Sequence, residues 1–191
     1  MYKRQGNGQD NTSIDANSID RVFDILAGTN GYISIQNVAI TGGYANGADL
    51  RDEYGGAIYS ESTLNLENIL IHRNSTSALG QGGGIHFDPG GFGVSDCPAE
   101  SFLTITNSTL SNNDSTMGGG GISWNGACND LSDEVSIIIT NSTFSENSTY
   151  FVGGAIGNNI AGDNLVSIYL INSTVSKNNA DSGGGLSLIH I

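Results

Sequence analysis

The sequence predicts an all-β chain wound as a right-handed, single-stranded parallel β-helix of about five to six coils. Three observations lead there. A unit recurs at intervals of 31, 39, 34 and 31 residues. Each unit holds an apolar-x-apolar alternation of period two, the mark of a strand with one face inward. Asn and Gly return at fixed places in the unit, which a solenoid of identical coils requires and a β-sandwich does not.

The units align on one Asn: 33–37 (ISIQN), 64–68 (LNLEN), 103–107 (LTITN), 137–141 (IIITN) and 168–172 (IYLIN). Three residues later comes an apolar position, Ile40, Ile71, Leu110, Phe144 or Val175. Three further on stands Gly43 and then Asn74, Asn113, Asn147 and Asn178. Each unit closes on a glycine pair: Gly55-Gly56, Gly82-Gly83, Gly119-Gly120, Gly153-Gly154 and Gly183-Gly184. No unit sustains a 3.6-residue period, and Gly, Thr and Asn are frequent throughout, so helix is disfavoured.

Three apolar stations per unit suit a coil of three strands stacked at the strand spacing of about 4.8 Å. Stacking puts like residues over like. The column Asn68, Asn107, Asn141 and Asn172 is expected to be a buried amide ladder, each side chain bonding the ones above and below. The glycine pairs are expected at corners that need φ > 0 and have no room for a side chain. Residues 10–31 read as a preceding, less regular coil with strands at 12–15 and 21–25.

Composition narrows the function classes. The 191 residues carry 19 Asp+Glu against 6 Lys+Arg, a formal charge of −13. Nucleic acid needs a basic footprint, and anionic membranes attract one, so both are disfavoured as partners. No apolar run is long enough to span a bilayer. With 37% hydrophobic and only 13% charged residues the chain is not of disordered composition.

The two ends read differently from the rest. Residues 186–191 (LSLIHI) and, on the opposite strand, 1–5 (MYKRQ) look like translations of a transposon adapter used in sequencing-library preparation. The expectation is an adapter-derived 1–5, a β-helix fragment over 6–185 and an adapter-derived 186–191, with the remainder of the solenoid as a partner at both ends. Losing Lys3 and Arg4 takes the charge from −13 to −15.

One corner grows. Inserts at 59–63, 86–102, 123–136 and 157–167 should emerge side by side as a lobe containing Glu61, Asp88, Asp96, Glu100, Asp130, Asp133, Glu134 and Asp163. Such carboxylates either hold Ca²⁺, with Asp88, Asp96, Asp130, Asp133 and Glu134 as the ligand candidates, or simply solubilise the loops. No EF-hand spacing occurs. Cys97 and Cys128 fall in the same lobe on adjacent coils, as a disulfide or as two thiols.

Catalytic constellations are thin. The bases of the trimmed chain are Arg21, Arg51, Arg73 and Lys177, and no nucleophile elbow or Walker loop occurs. His72, Arg73 and His86 read as solvent-facing. Tyr54, Tyr59, Phe87, Phe92, Phe102, Trp124, Tyr150 and Phe151 lie near turns, where exposed rings stack on sugars, although Phe87 and Trp124 also fit a core column. Asn-x-Ser/Thr sequences at Asn11, Asn74, Asn107, Asn141, Asn147 and Asn172 arise from the repeat, and an inward Asn107, Asn141 or Asn172 is closed to glycosylation.

The pairing of GGA[IL], at 55–58 and 153–156, with FxxN, at 144–147, resembles the repeats of polymorphic outer-membrane proteins. The cadence LTITNST at 103–109 is similar to secreted bacterial β-helix proteins with surface anchors. The resemblance implies a secreted or cell-surface β-helix with a structural or adhesive role, toward polysaccharide or a host or neighbouring cell surface; it does not imply a catalytic site, because the matching residues are those that build coils. The alternative is a polysaccharide lyase or glycoside hydrolase of the pectate-lyase-like fold with its active site mostly outside this segment.

Overall fold

The computed structural model describes residues 2–26, 32–47, 49–89, 91, 100–125, 134–157 and 166–187. They form a parallel β-helix: four sheets, every strand pairing in parallel with its counterpart one coil away. The first sheet holds the apolar-x-apolar strands Ile33–Gln36, Leu64–Glu67, Glu100–Thr106, Glu134–Thr140 and Val166–Ile171, with Tyr2–Gln5 at one edge. The second contains Ser13–Asp15, Ala39–Thr41, Leu70–His72, Thr109–Ser111, Thr143–Ser145 and Thr174–Ser176. The fourth runs through Phe23–Ile25, Ile58–Ser60, Ile85–Phe87, Ile122–Trp124, Ile156–Gly157 and Leu186–Ser187.

The third sheet corrects the expectation of three strands per coil. Its strands, Tyr44–Ala45, Ser75–Thr76, Asp114–Ser115, Ser148–Thr149 and Asn179–Ala180, are two residues long. Their inward residues Ala45, Thr76, Ser115, Thr149 and Ala180 are too small or too polar to register as an apolar station. Tyr2–Gln5 and Leu186–Ser187, read from sequence as adapter-derived, extend the first and fourth sheets. An exposed parallel edge offers backbone bonds to any extended segment, whatever its side chains.

The interior is a set of aliphatic columns. Ile35, Leu66, Ile105 and Ile139 stack on the first sheet, Ile40, Ile71, Leu110 and Phe144 on the second, and Ile58, Ile85, Ile122 and Ile156 on the fourth; all are buried. Each full burial of such a side chain contributes about 1.5–3 kcal/mol. Phe87 and Trp124 pair in register and belong to this core.

Three corners per coil are left-handed. Asn37, Asn68, Asn107, Asn141 and Asn172 turn the chain from the first sheet to the second with φ of 48–56°. Gly42, Arg73, Asn112, Glu146 and Lys177 do so between the second and third, at 54–65°. Gly55, Gly82, Gly119 and Gly153 do so before the fourth, at 62–69°. The second glycine of each pair is required for another reason. A Cβ on Gly83 or Gly120 would lie 2.3–2.4 Å from backbone oxygens of an adjacent coil, closer than any real contact.

The environment of the first Asn column differs from the buried ladder expected. Asn107, Asn141 and Asn172 are exposed, because a left-handed residue at this corner projects its side chain away from the core. They bond along the surface, Asn141 Nδ2 to Asn107 Oδ1 at 3.3 Å and Asn172 Nδ2 to Asn141 Oδ1 at 2.7 Å, and Asn68 Nδ2 reaches Asn37 Oδ1 at 2.5 Å. The sequons at these three residues are therefore not closed by burial. The interior amides belong to the second column. Asn74 Nδ2 donates to Asn113 Oδ1 at 3.0 Å, Asn113 Nδ2 to Asn147 Oδ1 at 2.9 Å and Asn147 Nδ2 to Asn178 Oδ1 at 2.9 Å.

Candidate functional site

The residues with acid-base chemistry converge on the outer face of the fourth sheet. In its three-residue strands the first residue enters the core, so the middle one points outward. In register these are Asp24, Tyr59, His86 and Ser123. An outward position on a β-helix normally meets water, yet Tyr59, His86 and Ser123 have no exposed surface at all. Tyr54, following the short 3₁₀ turn Leu50–Glu53, lays its ring on His86 with centroids 4.6 Å apart. The left-handed Gly82 lies so close to Ser123 that a Cβ there would come within 2.8 Å of Ser123 Oγ. The chain that leads into Ile58–Ser60 thus covers the next coil's strand at His86, and the chain that leads into Ile85–Phe87 covers the following one at Ser123.

Within this covered layer the contacts are polar. His86 Nδ1 and Ser123 Oγ are 2.6 Å apart, and His86 Nε2 is buried without a hydrogen-bond partner among the described residues. The Tyr59 ring stacks on His86 at 5.7 Å, and the Arg21 guanidinium lies 5.3 Å from the Tyr59 centroid. Arg21, its side chain 5% exposed, also faces Asp24 at 3.7 Å and Asp52 at 3.6 Å, and donates to the Arg51 carbonyl. It lines a cleft of about 360 Å³ together with Asp20, Asp24, Asn46 and Asp52.

The phenol oxygen of Tyr59 lies 2.9 Å from both Glu61 Oε1 and Asp88 Oδ2. It has one proton for two carboxylates. Burial, with the Glu61 charge beside it, outweighs the hydrogen bonds from Tyr59 and Asn125 and raises Asp88 to about 6. Burial, then the Asp88 and Glu61 charges, raises Tyr59 as well. His86 is pushed down to about 3 by burial and by Arg21, so its ring is neutral in ordinary buffers. A neutral His beside a Ser hydroxyl is the starting arrangement for nucleophilic catalysis. Here both side chains are fully buried, His86 under Tyr54 and Ser123 against Gly82.

The sequence candidates are distributed as follows. Glu61 and Asp88 are brought together; both are buried, against the expectation of loop carboxylates. Asp96, Asp130, Asp133, Asp163, Cys97, Cys128 and Phe92 lie outside the described residues. Glu134 begins a first-sheet strand, its backbone paired with Glu100. Among the described residues no group of three His, Cys, Asp or Glu is placed to hold a metal ion. His86, Tyr54 and Tyr59, expected at the surface, are buried because another stretch of chain covers them. His72 is half-buried opposite Ser111, and Arg73 is exposed at a left-handed corner. Tyr150 is 61% exposed and meets Phe151 edge-on at 5.4 Å. Sequence reasoning missed the cluster as a unit. The available signal was that Tyr59, His86 and Ser123 occupy one position of successive units. Comparisons with protein-family models, curated proteins and solved structures give no match to this chain.

Proposed function

We propose that this chain is a segment of a secreted or cell-surface β-helix with a structural and adhesive role, binding glycans through its exposed sheet faces. The observation that carries this reading is the sealing of Tyr59, His86 and Ser123: the residues best suited to chemistry are closed to substrate. The repeated positions, by contrast, serve coil stacking. The acidic balance and the resemblance to surface β-helix repeats point the same way.

A second reading, a polysaccharide lyase or hydrolase, draws on one feature. Glu61 and Asp88 are two carboxylates around a single phenol, with Arg21 and His86 alongside, and paired carboxylates are what glycoside cleavage uses. A glycan array run beside a turnover assay on uronate and neutral oligosaccharides separates the two. The adhesive reading expects retention of glycans without cleavage. Release of reducing ends, or of unsaturated products absorbing in the ultraviolet, would replace it with the enzymatic one.

A further inference from the structure

The second sheet and the neighbouring edge of the first present a face unlike the rest of this acidic chain. The segments 101–111, 135–145 and 166–176 contain no charged residue, although the chain has 19 Asp+Glu and 6 Lys+Arg. They stack in register as three consecutive coils. Inward alternation buries Leu110 and Phe144, which turns Thr109, Thr143 and Thr174 outward in one column and Ser111, Ser145 and Ser176 in the next. Thr174 is exposed and the other five are half-buried, so both columns reach the surface.

Across the exposed Asn corner the first sheet adds apolar surface, with Tyr169 48% and Ile171 51% exposed. In the preceding coils the equivalent second-sheet positions are Ala39 and Leu70, then Thr41 and His72, so the grid is confined to the last three coils. The Glu146–Lys177 ion pair, at 3.8 Å, stands at the corner that bounds it.

The geometry specifies what can lie on such a face. Hydroxyls recur at about 4.8 Å along the axis and at roughly 6.6 Å across it. The axial repeat is close to the rise of one sugar in an extended β-1,4-linked chain. Absence of charge disfavours uronates, sulfates and phosphates, which need compensating cations. Surface hydroxyls beside an exposed aromatic ring suit a polymer that has both hydroxyl groups and flat apolar ring faces. We propose that this face is the contact surface for a neutral, extended polysaccharide whose chain runs along the solenoid axis. The inference rests on the adhesive reading above and names its surface and ligand class.

The test is retention of the full chain on microcrystalline cellulose, a neutral β-1,4-linked glucan, with immobilised polygalacturonate as the charged comparison. The wild type is expected to be held by cellulose and not by polygalacturonate. The triple variant Thr109→Val, Thr143→Val, Thr174→Val keeps shape and strand propensity while deleting one hydroxyl column. It is expected to bind at least tenfold more weakly, and so is Tyr169→Ala. Unchanged retention of both variants overturns the assignment of the face. Loss of retention in Tyr150→Ala alone also overturns it, moving contact to the Tyr150 turn while sparing the adhesive reading. Preference for polygalacturonate overturns the neutral ligand class. A concentration-dependent dimer in sedimentation, abolished by the triple variant, overturns it in favour of self-association. No retention of the wild type on cellulose or on any arrayed glycan defeats the adhesive reading itself.

Discussion

Two columns of asparagine run the length of this molecule a few residues apart, and they do opposite things. In the interior column Asn113 makes its bonds across three coils. Its backbone N–H and Nδ2 both donate to Asn147 Oδ1, its Nδ2 also donates to the Ile71 carbonyl, and its Oδ1 accepts from the backbone N–H and Nδ2 of Asn74. In the surface column Asn107 accepts from Asn141 Nδ2 at 3.3 Å while both are open to water. The interior amide is needed for its hydrogen-bonding atoms; the surface one is needed for its backbone, because Asn tolerates φ > 0 better than other residues with a Cβ. Equal spacing in sequence conceals these two separate requirements.

Substitution sharpens the contrast. The largest effect is expected at Asn113. Asn113→Ala takes the Asn113 amide from the Ile71 carbonyl and from the Asn74 backbone N–H in a dry interior, while Asn74 Nδ2 keeps the Ile40 and His72 carbonyls, a loss of about 3 kcal/mol, given roughly 1–3 kcal/mol for each unsatisfied group without full additivity. Asn113→Asp sets a carboxylate against the Ile71 carbonyl and Asn147 Oδ1 and should unfold the chain at neutral pH. Denaturant titration and circular dichroism measure both. A cost below about 1 kcal/mol for the Ala variant would remove the distinction between the columns.

The covered cluster provides a titration that extends the comparison to buried charge. Asp88 is raised to about 6, so between pH 4 and 6 the folded state holds a proton that the unfolded state has lost, and stability falls as pH rises through that window. His86 is lowered to about 3, so between pH 3 and 6.5 the unfolded state holds the extra proton, and stability rises with pH. The two oppose each other between pH 4 and 6, so their joint contribution to the pH dependence of stability is small there. Asp88→Asn leaves His86 alone, so its melting temperature should climb steadily with pH over the same range. The stability difference between variant and wild type should change by about 3 kcal/mol from pH 4 to pH 7. A constant difference would mean that Asp88 does not titrate as a buried acid.

The smallest effects belong to the surface column. Asn107→Ala places a Cβ residue without Asn's tolerance at φ 50° and should cost about 1 kcal/mol. Asn141→Gly relieves the same backbone and should fall within about 0.5 kcal/mol of wild type. Thermal melts of the pair test this; a larger loss for the glycine variant would give the exposed amide ladder an energetic role of its own.

Much of the fold was readable because stacking imposes one residue type on one place. Ile58, Ile85, Ile122 and Ile156 announce a column before any coordinates do. The third sheet was not readable, since a two-residue strand with Ala45 or Ser115 inside leaves no hydrophobic signal. The inside-outside assignment of the asparagines was not readable either: spacing gives a position along the coil, but the direction of a side chain at a corner depends on φ. The candidate site was half visible. Alternation turns Tyr59, His86 and Ser123 away from the core, yet Arg21 lies over Tyr59, Tyr54 over His86 and Gly82 against Ser123 by the path of the chain rather than by the repeat.

The interior amide column also bears on how such a chain can change over generations. Each rung completes the bonding of the rung before it, so an internal deletion of part of a unit leaves an amide facing nothing, while removal of a complete unit joins two compatible rungs. Growth and shrinkage by whole modules, 31 to 39 residues at a time, is then the tolerated route. The unequal spacings record where extra sequence was accepted: at the corner between the fourth sheet and the next coil's first strand, and between the third sheet and the glycine pair, where the stretch from Ala45 to Gly55 holds the turn Leu50–Glu53 and that from Ser115 to Gly119 has none, but never between an interior asparagine and the apolar residue three places before it.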